Sequence, residues 1–139
     1  MNDGCENKAP LSADEWDREQ GRPRTVLLYA CSGAANVAEV ADRAVRDLTA
    51  AGCGAMFCLA GLGADMQDMV QTARDADLNL LIDGCPVACA KAIFDRHGLT
   101  NYRQIKVTDL DIEKTNGARA TDAQVDAVVV KVKKVLAGE

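Results

Sequence analysis

Aromatic residues are scarce in this chain of 139 residues: Trp16, Phe57, Phe94, Tyr29 and Tyr102 are all there are. Basic residues are also outnumbered, 16 Lys and Arg against 21 Asp and Glu, for a formal net charge of −5. Nucleic-acid and anionic-membrane surfaces need a basic patch, the former usually with aromatic faces between the cations. Neither partner is expected here. The local cations Lys131, Lys133 and Lys134 fall near the end of a predicted helix, where they complement its dipole. Histidine occurs once, as His97 in "DRHGL", a setting that suits a helix C-terminus. Ser–His–Asp and Cys–His chemistry are therefore poorly supplied, and no residue set assigns an enzymatic reaction. No apolar stretch approaches the roughly 18 residues that span a bilayer, and residues 1–16 lack the charged-then-apolar order of a signal peptide. A cytoplasmic protein is expected. In that compartment its six cysteines should stay reduced and serve metal or thiol chemistry, not a disulfide framework.

Residues 1–24 are polar and carry two of the three prolines. They read as an N-terminal extension in which Ser12 and Glu15 form an S-x-x-E capping pattern. From residue 25 to 139 the pattern is that of one domain. The runs at 25–30, 55–60, 78–83 and 102–107 read as strands, the third apolar enough to be buried on both faces. Between them, Val37, Val40, Ala41, Ala44, Val45 and Leu48 form a stripe at helical spacing. Met66, Met69, Val70 and Ala73 form a second; Val87, Ala90, Ile93 and Phe94 form a third, closed by Gly98. The last helix opens on Thr121 and Gln124 as a capping box and buries Val125, Val128, Val129, Val132 and Leu136. Strands alternating with helices predict a small three-layer α/β domain, Rossmann-like or flavodoxin-like, with a mainly parallel four-stranded sheet.

In such sheets ligands gather beyond the carboxyl ends of the strands. Cys31 ends the first strand, Cys58 comes near the end of the second, and Cys85 lies just past the third. Cys89 follows four residues later, on the face shared by positions i and i+4 of a helix expected to start at Pro86. Four thiolates at one edge repel unless a cation holds them, and a tetrahedral Cys₄ zinc site answers that repulsion. Helix starts after Cys31 and at Pro86 would ease the net −2 charge of such a centre. Cys53 is expected in the core or in a turn. Asp83, Ser32, Asn36 and Lys91 are candidates for hydrogen bonds around the site, and Lys114, in a loop after the fourth strand, is a candidate to reach the thiolates.

Other chemistries were weighed on the same residues. The loop "CSGAANV" (31–37) superficially suggests a low-molecular-weight phosphatase, but Val37 stands where the phosphate-clamping arginine is needed. "AGLGADM" (60–66) is a loose glycine-rich turn with no Walker pattern. Thiol–disulfide or sulfur transfer through Cys85 and Cys89 stays open, because a thiol at a helix N-terminus is reactive. An Fe–S cluster on the four cysteines stays open as well.

The motifs "YACSGAANV" (29–37), "CLAGLG" (58–63), "DGCPVACAK" (83–91) and "DLDIEK" (109–114) together resemble the bacterial DGC family, named for the triplet Asp83-Gly84-Cys85. The resemblance spans about residues 25–137. It implies zinc as the metal partner, with the family's four candidate chelating cysteines at Cys31, Cys58, Cys85 and Cys89. Cys5 and Cys53 fall outside that pattern. A closed Cys₄ shell leaves no position for water, so the expected role of the zinc is structural or sensing.

Overall fold

The computed structural model describes residues 25–138; the expected extension, with Cys5, Ser12 and Trp16, lies outside them. The chain runs β1 (Val26–Ala30), α1 (Asn36–Ala50), β2 (Ala55–Met56), α2 (Leu59–Gly63), α3 (Gln67–Asp75), β3 (Leu78–Asp83), α4 (Cys89–Arg96), β4 (Tyr102–Lys106) and α5 (Asp122–Leu136), with a 3₁₀ turn at Val107–Leu110 after β4. The four strands are parallel in the order β2-β1-β3-β4. The small α/β domain expected from the alternation is what forms.

Burial explains why each segment takes its place. In β3, Asn79 to Asp83 are all buried, as a central strand covered on both faces requires. Period two sends Leu28, Leu80, Ile82 and Ile105 to one face, where they meet the stripes of α1 and α5. Leu27, Tyr29 and Leu81 go to the other, where Val70 and Ala73 of α3 and Phe94 of α4 cover them. The capping box at Thr121 forms, with Gln124 N–H on the hydroxyl at 3.1 Å and the Gln124 side chain on Thr121 N–H at 3.0 Å. Lys133 and Lys134 occupy the last turn of α5, and Gly98 leaves α4 with φ +69°. His97 is the C-cap of α4, its Nε2 2.8 Å from the Leu62 carbonyl oxygen.

Three local expectations change. The second strand, expected over 55–60, stops at Met56; Phe57 still donates its N–H to Leu28 O at 2.9 Å, but the small residues of "LAGLG" then turn at once into α2. Cys58 thereby becomes the N-cap of α2 instead of a strand residue. The helix expected from Pro86 begins at Cys89. Ala88 N–H reaches Cys85 O at 3.0 Å, so Pro86 occupies the second position of a four-residue turn, where its fixed φ is equally favoured. Cys85 and Cys89 therefore do not share a helix face, and Val87 is 67% exposed instead of packed. Met66, expected in the core, is 54% exposed at the N-cap of α3.

A polar network stands inside the second half of the core. Tyr29 Oη donates to Asn79 Oδ1 at 2.8 Å, and Asn79 Nδ2 donates to Ala73 O at 2.9 Å. Burial pushes the Tyr29 hydroxyl well above its ordinary pKa, so it stays a donor. Its ring sits edge-on to Phe94 with centroids 5.0 Å apart. Tyr29→Phe keeps the ring but strands a buried amide oxygen, and is expected to cost about 1–2 kcal/mol. Urea denaturation of the two proteins measures this directly; an unchanged midpoint would show that Asn79 finds another donor.

Candidate functional site

The two central strands feed opposite layers of the domain. β1 leads into α1 on one face and β3 into α4 on the other, so the carboxyl ends of β1 and β3 form the point where the connections diverge. A crevice opens there for topological reasons. It holds a cavity of about 160 Å³ lined by Cys31, Cys85, Cys89, Ser32, Lys114 and Asn116, with small apolar residues of α1 and the 84–88 turn completing the wall.

Gly84 makes this closeness possible. A Cβ there would come within 3.0 Å of the Val37 carbonyl carbon and Cγ2, so the turn after β3 rests directly on the first turn of α1. From that position Gly84 N–H donates to Cys31 Sγ at 3.1 Å. Asp83, wholly buried, fixes the other end of the turn. One carboxylate oxygen accepts from Ala90 N–H at 2.8 Å; the other accepts from Lys91 N–H at 3.2 Å and Gln104 Nε2 at 2.8 Å. The carboxylate thus caps α4 from outside the helix and ties it to β3 and β4. Its charge meets the positive end of the α4 dipole. Ala88, held at φ +55°, sits in a conformation that costs an L residue about 1–2 kcal/mol; the bonds on either side keep it there.

A second segment closes the cavity. Residues 113–117 lie across the start of α1 and are bound to it by backbone and side chain together. Asn36 N–H donates to Thr115 O at 3.1 Å, Thr115 N–H to Asn36 Oδ1 at 2.7 Å, and Asn36 Nδ2 to Glu113 O at 2.9 Å. Gly117 N–H reaches Ala34 O at 3.1 Å, and Ala35 pairs with Asn116 as an antiparallel bridge. This strap carries Lys114, whose Nζ donates to Cys85 Sγ at 3.4 Å. Beyond it, Arg119 makes two bonds to the Glu39 carboxylate, at 2.9 and 2.8 Å, and Ala120 N–H adds a third at 2.8 Å.

The expected residues therefore separate. Cys31, Cys85 and Cys89 line one cavity. Cys58 is exposed and does not line it, and Cys53, expected to stay reduced like the others, is buried behind α1 and disulfide-bonded. Among the described residues no group of three or more His, Cys, Asp or Glu stands close enough together to hold a metal ion. Of the candidate helpers, Asp83 and Ser32 stay with the site. Asn36 serves the strap, and the Lys91 ammonium turns away to Asp95 at 2.7 Å. The strap and Asn116 were missed by sequence reasoning, although the turn dipeptide Asn116-Gly117 was a faint sign of them.

Opposing electrostatic influences meet at Cys31. Burial pushes the Cys31 thiol above its ordinary pKa; the Gly84 N–H works against that rise, while Asp83, Cys89 and Cys85 add to it. A soft cation would reverse the balance, since it turns mutual repulsion into shared attraction. In kind, three sulfur donors on one cavity suit a thiophilic ion.

A family model for the DGC domain matches residues 27–132. The chain belongs to the DGC family. It is 31% identical over 110 residues to the anaerobic and virulence modulator AnvM of Pseudomonas aeruginosa, an alignment covering 79% of this chain and 84% of that protein. No solved structure matches it. The described residues contain no helix long and apolar enough to cross a membrane.

Two outcomes are expected from this geometry. Asp83→Ala removes the cap of α4 and leaves its N–H groups unpaired. Amide exchange should rise across residues 84–91 with a stability loss of about 1–3 kcal/mol; unchanged exchange would mean the turn holds itself. Glu39 is held down to about 2, first by the Arg119 hydrogen bonds and then by the Ala120 N–H. A depressed carboxylate pKa stabilises fully above its unfolded value, near about 4.3, and that contribution fades as pH falls toward 2. Carbon-detected NMR should follow Glu39 titrating well below the ordinary glutamate value, and Arg119→Ala should raise it toward that value, with the Ala120 N–H still holding part of the depression.

Proposed function

We propose that this protein is a metal-thiolate module with a structural or sensing role, binding one zinc ion through Cys31, Cys85 and Cys89, with Cys58 as the candidate fourth ligand. The observation that carries the reading is that three thiols, Cys31 and Cys85 from the ends of two central strands and Cys89 from the start of α4, line one cavity at the divergence point of the sheet. The reading draws support from the kinship with a protein named as an anaerobic and virulence modulator, which favours a regulatory over a catalytic output. Bound zinc would supply charge neutralisation and a fixed tetrahedral geometry. The chain's own residues do the rest. The Gly84 N–H holds the Cys31 sulfur, the Asp83 cap sets where Cys89 begins α4, and the 84–88 turn presents Cys85 toward the strap.

Thiol–disulfide exchange between Cys85 and Cys89 is the second reading, favoured by the Lys114 contact to Cys85. An Fe–S cluster on the same cysteines would declare itself by colour.

Protein purified without oxygen and desalted should carry about one equivalent of zinc and no visible absorption. Serine at Cys31, Cys85 or Cys89 should release it. Replacing zinc by cobalt makes the thiolate charge-transfer band a count of sulfur ligands, so Cys58→Ser tells three donors from four. A metal-free protein in which Cys31, Cys58, Cys85 and Cys89 all react freely with a thiol reagent, whatever the buffer, would end the zinc reading. Because the buried centres of both core clusters are made of strand and helix side chains, with Cys31 and Cys85 packed only partly buried against the first, chelation under reducing conditions should lower the melting temperature and loosen residues 31–36 and 83–91. The far-ultraviolet helical signal should persist, unlike that of zinc fingers, which unfold without metal. Loss of the whole signal would show that the sheet depends on its metal.

A further inference from the structure

The cavity wall contains one formally charged group besides its thiols, the Lys114 ammonium. It comes from far along the chain, 29 residues after Cys85, the sulfur it touches. It is not the lysine nearest in sequence, since Lys91, two residues after Cys89, is paired with Asp95. The strap that carries Lys114 is not a loose loop. Four hydrogen bonds and a β-bridge fasten residues 113–117 to the start of α1, and the Arg119–Glu39 pair fastens the chain just beyond it. The fold therefore spends a continuous set of bonds on delivering one cation to the sulfur cavity. Among the described residues the hydrogen-bond partner of that cation is Cys85 Sγ.

Charge counting says what such a cation does. A divalent ion with three thiolates leaves the centre at −1, and with four at −2. The nearby Asp83 charge is already met by two N–H groups at the start of α4 and by Gln104, so it neither needs nor uses Lys114. We infer that Lys114 is the built-in counter-cation of the metal-thiolate centre, and that the strap at residues 113–117 exists to place it there. This rests on the metal-thiolate reading of the site. It goes beyond it by assigning a non-ligand residue that sets affinity for a divalent ion. An ammonium hydrogen-bonded to a metal-bound sulfur lowers the energy of the anionic complex without occupying a coordination position.

The test is zinc affinity by competition with a chromogenic chelator, on the full chain, in wild type and in Lys114→Met, Lys114→Glu and Lys114→Arg. Lys114 is exposed, so the variants should fold, and circular dichroism checks that they do. Met should weaken zinc about tenfold at low ionic strength, Glu should weaken it further, and Arg should restore most of the affinity, since charge-assisted bonds lie at the strong end of hydrogen bonds. The gap between wild type and Met should narrow in high salt, as charge coupling is screened; a purely structural role would leave it unchanged. Equal affinities for all four proteins in low salt would overturn the inference while leaving the metal site intact. Failure of wild type to take up zinc at all would instead overturn the reading on which it rests.

Discussion

The buried carboxylate of Asp83 is the constraint on which the sulfur cavity depends. It stands at the end of the most enclosed strand, and an ionised group in that position must be fully hydrogen-bonded or it costs several kcal/mol. The three donors that satisfy it come from α4 and β4. Satisfying the charge therefore decides where α4 starts, how the 84–88 turn closes and where Cys85 and Cys89 fall. Gly84 completes the arrangement, because only a residue without a side chain lets the turn rest against Val37. That contact brings a backbone donor to Cys31. The DGC triplet is thus a structural unit in which an acid caps, a glycine permits approach and a cysteine faces the cavity.

What this edge gains in chemistry it loses in comfort. Ala88 is left-handed, burial and neighbouring charge oppose ionisation of Cys31, and the walls are short turns instead of regular structure. The rest of the domain offsets these costs. Leu28, Leu80 and Ile82 are sealed under α1 and α5, and Tyr29, Leu81 and Phe94 form a second sealed layer on the opposite face. Cys31 and Cys85 pack, partly buried, against the first layer alone, and the second contains no cysteine of the cavity. Asp65 and Asp111 are left-handed too, but they carry the short polar side chain that eases that conformation; Ala88, at the cavity wall, does not.

The sheet was legible because its strands are short apolar runs and its helices carry single stripes, so periodicity and burial agree. Cys31 and Cys85 could be placed at the cavity because a residue next to the end of a central parallel strand has few places to go; Cys89 lines it as well, but as the first residue of α4 and not through a helix face shared with Cys85. Cys58 was harder. A two-residue edge strand has almost no pattern of its own, and its stop is set by the glycines after it. Pro86 misled for a different reason, since its fixed φ suits the first position of a helix and the second position of a turn alike. The strap was hidden because its partner, Asn36, lies 77 to 79 residues away. Asparagine gives no sign in sequence of whether it will cap, turn or clamp.

Where the two lysines end up shows how the site is tuned. Lys91 follows Cys89 by two residues and was expected among the hydrogen-bonding neighbours of the site, yet its ammonium is drawn one turn along α4 to Asp95, the favoured i,i+4 contact on a helix surface. A lysine on the helix itself is committed to that surface. Lys114 stands on a strap held chiefly through its backbone, so its side chain is free of helical neighbours while its Cα is fixed. The strap is continuous with the Arg119–Glu39 pair and, through Thr121, with the cap of α5. The segment that touches Cys85 is therefore anchored at its far end on the exposed side of α1 and at the start of α5.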